Sequence, residues 1–249
     1  MKRKMIYLFV ALLIAGMTVD QSLAYEKDTI KTFKGPLIIT FIKHGSLMFE
    51  YNEQTIHIDP VVRMGDYNKM PDADLILITH HHGDHLDLNA IEEVRKPNTR
   101  IVATKMCIKN SEELSDVVIM DNGDVKSVTG LEIHAVPAYN IKNKRDNGEP
   151  YHKKGEGNGY VIRFGNKKIY VAGDTENVPE MKRLGNIEVA FLPMNLPYTM
   201  SPEMAADAAK MFKPKILYPY HFGQTDPSRL VDLLADEEAI EVRIRDMGF

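Results

Sequence analysis

Residues 79–87 read THHHGDHLD. Four of the chain's nine histidines fall within six positions there, at 80, 81, 82 and 85, with Asp84 among them. The run follows Leu75–Ile78, a short, wholly apolar stretch between polar neighbours, which reads as a strand buried on both faces. An extended segment sends positions i and i+2 to one side. His80 and His82 therefore converge, and His81 turns away. Gly83 permits a tight reversal, so that Asp84 and His85 come at the same region from another direction. Imidazole is the commonest side-chain metal ligand near neutral pH. A strand exit also holds its residues on a fixed backbone. The pattern His-x-His-x-Asp-His in this place reads as a metal site rather than a solvated polar loop.

Two further apolar strands end in metal-competent residues. AGDTEN (172–177) offers Asp174, whose two oxygens can bridge two cations, and LYPYHFG (217–223) offers His221. Each is weak alone; three such strand ends together make the case. Around them the chain alternates strands and helices. Leu37–Ile42, Leu47–Tyr51 and Thr55–Ile58 read as a meander after a short polar lead. Leu86–Arg95 reads as a helix, and Ile101–Ala103, Val117–Met120, Val125–Val128 and Leu131–Val136 as short strands. The second half has the same grammar: a hairpin from Tyr160–Phe164 and Lys168–Ala172, a helix over Val178–Leu184 and a strand at Val189–Leu192. A helix capped by Ser201 with Pro202 in its first turn then runs to Phe212. Strand Ile216–Tyr220, helix Pro227–Ala235 and strand Glu241–Arg245 close the chain. Runs of strands with interspersed helices predict an α/β (α+β) four-layer αββα sandwich, two sheets face to face with helices outside. Residues 141–158 read as a long loop within that fold, of the kind that is functional or mobile.

Composition narrows the class. Lys2, Arg3 and Lys4, the apolar run Met5–Met17 and Ser22-Leu23-Ala24 form the n-region, h-region and cleavage pattern of a secretory signal. Residues 1–24 are therefore expected to be removed, leaving 25–249 as a single exported domain, periplasmic or secreted. The apolar run is too short to span a bilayer, so no stable membrane span is expected after cleavage. Removing its three basic residues and one acid (Asp20) moves the net charge from −4 to −6. That balance disfavours nucleic acid, whose binding depends on neutralising phosphates. Cys107 is the only cysteine, so no intrachain disulfide forms. Oligomeric state is not legible.

The six-residue motif, with Asp174 and His221 in order after it, resembles the metallo-β-lactamase superfamily. Within it the chain is similar to the L-ascorbate-6-phosphate lactonase-like branch. That likeness rests on HGSLMFEY and IHIDPV, VPAYN, GNGYVIRFGNKKIYVAGDT, FLPMNLPYTM and PYHFGQTDP, and it runs from about Leu37 to Pro227. The resemblance implies a site between the two sheets. It places His80, His82 and a third ligand on one metal, Asp84, His85 and His221 on the other, and Asp174 between them. The third ligand departs from the general pattern, in which a histidine follows the strand equivalent to 131–137; here Asn140 stands nearby, a poor zinc ligand. His152 in YHKKGEGNGY is preferred over His134, which strand alternation puts on a sheet surface. The resemblance also places Asp59 beneath the site, orienting a ligand histidine, and brings His44 near the pocket.

Two cations sharing a carboxylate make water nucleophilic near neutral pH and polarise a carbonyl or phosphoryl group. The expected activity is therefore metal-dependent hydrolysis by a metal-bridging hydroxide, on a small-molecule lactone, ester or phosphodiester. Asp84 is expected to steer that nucleophile, and Tyr198 to offer its hydroxyl to the reacting oxygen. Lys153 and Lys154 could meet an anionic group on the substrate, although the usual surface placement of lysine favours a solvated charged loop. Mixed N/O ligands suit zinc or manganese, and iron also fits. Two other readings compete. A non-catalytic metal-binding or sensing module is opposed by the completeness of the ligand set. A di-iron oxidoreductase is opposed by His82, where such relatives carry an acid.

Overall fold

Leu75 and Leu77 bury into one apolar cluster, while Ile76 and Ile78 bury into another. That alternation is what a strand covered on both faces requires, and it sets the layering. The protein's structure is a computed structural model that describes residues 25–111, 114 and 116–248. The expected signal segment, 1–24, lies outside the described residues.

The first sheet runs β1 (Lys27–Thr32), β2 (Gly35–Lys43), β3 (Ser46–Tyr51), β4 (Gln54–Ile58), β5 (Ala73–Leu77), β6 (Arg95–Ala103) and β7 (Val117–Ile119), in that spatial order. Strands β1 to β4 pair antiparallel, and β4 to β7 pair parallel. The second sheet has the same plan. Its antiparallel part is β8 (Val125–Val128), β9 (Leu131–Ala138), β10 (Gly157–Phe164) and β11 (Lys167–Val171). Its parallel continuation from β11 is β12 (Ile187–Pro193), β13 (Ile216–Tyr220) and β14 (Glu241–Val242). The inner faces meet in one core, where Phe49 packs edge-on against Phe164 and Phe191 stacks on Tyr218.

Helices cover the outer faces. Helix α1 (Leu88–Val94) buries Ala90, Ile91 and Val94 against Ile76, Ile78 and Ile101, with Cys107 of α2 (Lys105–Asn110) in the same cluster. Asp87 caps α1 by accepting from the Asn89 N–H. On the other sheet, α3 (Pro202–Phe212) starts as expected, with Ser201 accepting from Met204 N–H and Pro202 in the first turn. Its Phe212 meets Tyr170 of β11, and α4 (Ser228–Leu233) packs beside it. The four-layer αββα expectation holds.

Several boundaries differ from the sequence reading. The polar lead forms β1, paired with β2 along its whole length. The expected helix over 178–184 is a 3-10 turn, Pro179–Arg183. The expected closing strand keeps only Glu241–Val242, and α4 is shorter at both ends than expected. Among the described residues no helix is long and apolar enough to cross a membrane.

Candidate metal centre

The parallel strands of both sheets end at one rim of the sandwich, and the histidines and aspartates gather there. His80, His82, Asp84 and His85 lie on the turn after β5. Asp174 follows β11, His221 follows β13, and His152 precedes β10. His80, His85, His152, Asp174 and His221 are buried, and His82 is half-buried.

The donor atoms fall into overlapping groups. His80, His82 and His152 bring one atom each to within 4.8 Å of one another; His44, Asp84, His85 and His221 form a second group, and His80, His85 and Asp174 join the two. Asp174 divides its carboxylate between them. Its Oδ1 lies 3.3 Å from His85 Nε2 and 3.4 Å from His221 Nε2, while Oδ2 lies 3.3 Å from His152 Nε2 and 3.8 Å from His80 Nε2.

Ring nitrogens face ring nitrogens across the cluster. His82 Nδ1 is 3.1 Å from both His80 Nε2 and His152 Nε2, and His221 Nε2 is 3.1 Å from His85 Nε2. Two lone pairs cannot face each other at that distance without a proton or a cation to share. Ligands about 2.0–2.1 Å from a tetrahedral zinc are roughly 3.3 Å apart, so the spacing suits a divalent ion. The donor set, nitrogen with carboxylate oxygen, suits one as well.

The electrostatics agree. Burial depresses His80, with His85 adding to it, and brings His82 down to about 4; both stay neutral, as ligands must. Burial alone would lower His85 too. The carboxylates of Asp174, Asp59 and Asp84 outweigh it and push His85 up to about 10, so that without a metal His85 holds a proton in the place a cation would take. Burial would raise Asp174 and Asp84, but the surrounding histidines hold both far below the usual carboxylate range. The cluster is a pocket of negative charge and lone pairs in need of positive charge.

A layer of buried groups orients the donors. Asp59 Oδ2 sits 2.7 Å from His85 Nδ1, and Asp59 also accepts from the Thr79 N–H at 2.7 Å and the Thr79 hydroxyl at 2.6 Å. This turns His85 Nε2 toward the cluster. His44, buried at the β2–β3 turn, lies 3.2 Å from Asp84 Oδ2 and 3.6 Å, ring to ring, over His221. His44, Asp59 and His221 all have positive φ, at 55°, 45° and 46°. Non-glycine residues adopt that conformation at a cost of roughly 1–2 kcal/mol, and here three of them cluster at one site. Gly45 is fixed for a different reason: a Cβ there would stand 2.8 Å from His85 Cε1.

The structure brings together His80, His82, Asp84, His85, His152, Asp174 and His221. His81 stays out of the donor groups, half-buried. His134, on β9, bonds Glu132 at 2.9 Å instead. Tyr198 stands at the cavity rim, 46% exposed. Of the two readings of Lys153 and Lys154, the structure supports the charged loop surface rather than the substrate contact. They pair with Glu149 at 2.9 Å and Glu180 at 2.6 Å, and neither lines the cavity. The wall cations of that cavity, of about 410 Å³, are Arg63 and Arg145. A larger cleft, of about 690 Å³, shares Arg63 but contains none of the histidine–aspartate set.

The sequence reading also passed over Glu176. Its buried carboxylate accepts from the backbone N–H groups of Ile141, Lys142 and Asn143 at 2.9, 2.8 and 2.6 Å. It pins the loop that delivers His152. The signal was present, two residues beyond Asp174 in AGDTEN.

A face-to-face αββα sandwich with a histidine–aspartate cluster at its strand ends is the architecture of the metallo-β-lactamase class. Comparison with known proteins agrees. Residues 38–221 match the profile of the beta-lactamase superfamily domain. A UPF0173 metal-dependent hydrolase from Methanopyrus kandleri is 31% identical over 84% of this chain and 92% of its own length. A crystal structure of a protein described as a metal-dependent hydrolase, from Parabacteroides distasonis, superposes with a TM-score of 0.84 and 48% identity, covering 90% of this chain and 99% of that one. A metallo hydrolase from Ignicoccus hospitalis, 24% identical with a TM-score of 0.71 over 86% of this chain and 96% of that one, shares the fold. The chain belongs to the beta-lactamase superfamily and, within it, to the UPF0173 metal-dependent hydrolase family.

Proposed function

We propose that this hydrolase is binuclear and acts on a small lactone, ester or phosphodiester. The observation that carries the reading is Asp174, with one oxygen toward His85 and His221 and the other toward His152 and His80. His80, His82 and His152 would hold one ion, and Asp84, His85 and His221 the other, with Asp174 shared. Zinc or manganese best matches the donors, and iron also fits. Bound there, two divalent ions supply Lewis acidity toward the substrate oxygen and make water nucleophilic near neutral pH.

The chain's own residues do the positioning. Asp84 has a side chain 30% exposed, where Asp174 has 4%, and it is fixed through Oδ2 by His44. We assign it to orient the attacking water. Tyr198, at the rim, is assigned to donate its hydroxyl to the reacting oxygen. Lactones come first among substrates because of the sequence likeness to the L-ascorbate-6-phosphate lactonase-like branch. The charged start, apolar run and small-residue site of residues 1–24 support export to the periplasm or medium.

The test is a protein loaded with zinc or manganese and assayed on a panel of lactones, esters and phosphodiesters. Two ions per chain, turnover in at least one class, and loss of both turnover and one or more ions in Asp174→Ala are expected. Two bound ions with no turnover across the panel would contradict the reading. Export is checked by fractionating expressing cells; a full-length chain retained in the cytoplasm would oppose it.

A further inference from the structure

Two charges on the cavity wall, Arg63 and Arg145, have no role in the chemistry proposed above. Arg145 lines the same cavity as His82, Asp84 and Asp174. Its guanidinium carbon stands 5.0 Å from the centroid of the Tyr151 ring, and Nη2 donates to Tyr151 O at 3.4 Å. Tyr151 meets Tyr198 edge-on, with centroids 5.1 Å apart. The same hairpin carries two acids, Asp146 and Glu149, and Glu149 bonds Lys153 rather than Arg145. Among the described residues no carboxylate forms an ion pair with Arg145.

The mounting is fixed. Arg145 N–H donates to Glu149 O at 2.7 Å, Gly148 N–H donates to Arg145 O at 2.9 Å, and Lys144 bridges to Pro150. This small hairpin lies between the 141–143 segment held by Glu176 and the ligand candidate His152. The position of Arg145 is thereby tied to the metal-facing groups. Guanidinium is permanently charged and offers a planar fork of donors that matches an oxyanion. Held against an aromatic face, it loses little freedom when an anion arrives.

We propose that Arg145 is a specificity-determining residue that binds a second, non-reacting oxyanion of the substrate, a carboxylate or a phosphate. It rests on the hydrolase reading and narrows it: the substrate class is small molecules carrying an anionic group apart from the bond that is cleaved. Arg63 shares the cavity and serves as the comparison.

The experiment is calorimetric binding to the zinc-loaded full chain. The probes are monocarboxylates, α,ω-dicarboxylates of increasing length and the matching ω-phosphonocarboxylates, none of which can be hydrolysed. At one chain length the second anion should tighten binding about tenfold, as a charge-assisted pair does. The dicarboxylate and phosphonate arms show which oxyanion is preferred. Arg145→Gln should bring doubly and singly charged probes to within about twofold of each other, and Arg145→Lys should keep part of the preference. Arg63→Gln should keep most of it. A preference absent from the wild type, surviving in Arg145→Gln, or removed by Arg63→Gln alone would overturn the proposal. Zinc content and ester or lactone turnover on the same samples report the hydrolase reading separately. Lost turnover with an intact dianion preference would remove the chemistry and keep the Arg145 site.

Discussion

Asn140 takes no part in the donor set, yet its Oδ1 accepts the His152 backbone N–H at 2.9 Å and His152 Nδ1 at 2.8 Å. Holding the Nδ1 proton there leaves Nε2 with the lone pair that faces His82 and Asp174. The sequence reading set Asn140 aside as a poor ligand where relatives carry a histidine. The structure gives it the job of aiming the histidine that stands nearby. A position that fails a test for ligands still had to be asked what a ligand would need behind it, and one sequence offers no sign of which loop folds back on it. Groups behind metal-binding histidines typically govern about 10–100-fold in metal affinity. Asn140→Ala should therefore weaken zinc binding by about that factor in a chelator competition, with the fold retained by circular dichroism. An affinity equal to wild type would show that His152 is aimed by something else. Which of the three adjacent histidines turn toward the cluster was legible, because alternation sends His80 and His82 to one side and His81 to the other.

Short apolar strands and the Ser-Pro start of α3 were legible because alternation and capping are local signals. β1 was not: of KDTIKT only Ile30 is buried. A charged edge strand guards against edge-to-edge pairing and so looks like a loop in sequence. The 178–184 segment, read as a helix, is a 3-10 turn over Pro179–Arg183. The long 141–158 segment read as a loop that could move; Glu176 was visible in AGDTEN, but nothing in the sequence connects it to a loop more than thirty residues away. Three backbone N–H groups converge on that one carboxylate. Leaving them without a partner costs about 1–3 kcal/mol each where water cannot reach. Glu176→Ala should lower stability by about 3 kcal/mol, read from denaturant unfolding, and open the 141–152 loop to proteolysis. It should also reduce metal content, since His152 is carried on that loop. A loop as resistant to protease as wild type would contradict the anchoring role.

At the scale of the whole molecule, each half folds into a sheet whose antiparallel part leads into a parallel one, and the cluster forms where the two parallel parts end together. That convergence was only implied by the sequence, since no local signal says which strand ends meet. The ends of the chain also join the two sheets: Asp28 of β1 takes Arg245 at 2.7 Å and bonds the Tyr218 hydroxyl of β13. Part of the global pH response comes from a group outside the cluster. His57 on β4 is fully buried, with Nε2 3.0 Å from Pro71 O, and burial brings its pKa down to about 4. The unfolded chain, with histidine near 6.5, takes up that proton first. The stability this group contributes is therefore present above pH 6.5 and lost as pH falls toward 4, by about 3 kcal/mol at the limit. His57→Gln should flatten the dependence of unfolding free energy on pH between about 4 and 6.5; an unchanged slope would assign the acid sensitivity to other groups.

The most direct test of the proposed binuclear site is anomalous scattering at the metal edges from a crystal of the loaded protein. Two ions should appear, one among His80, His82 and His152, the other among Asp84, His85 and His221, with an oxygen of Asp174 directed at each. A single ion, or two ions placed away from these side chains, would contradict it.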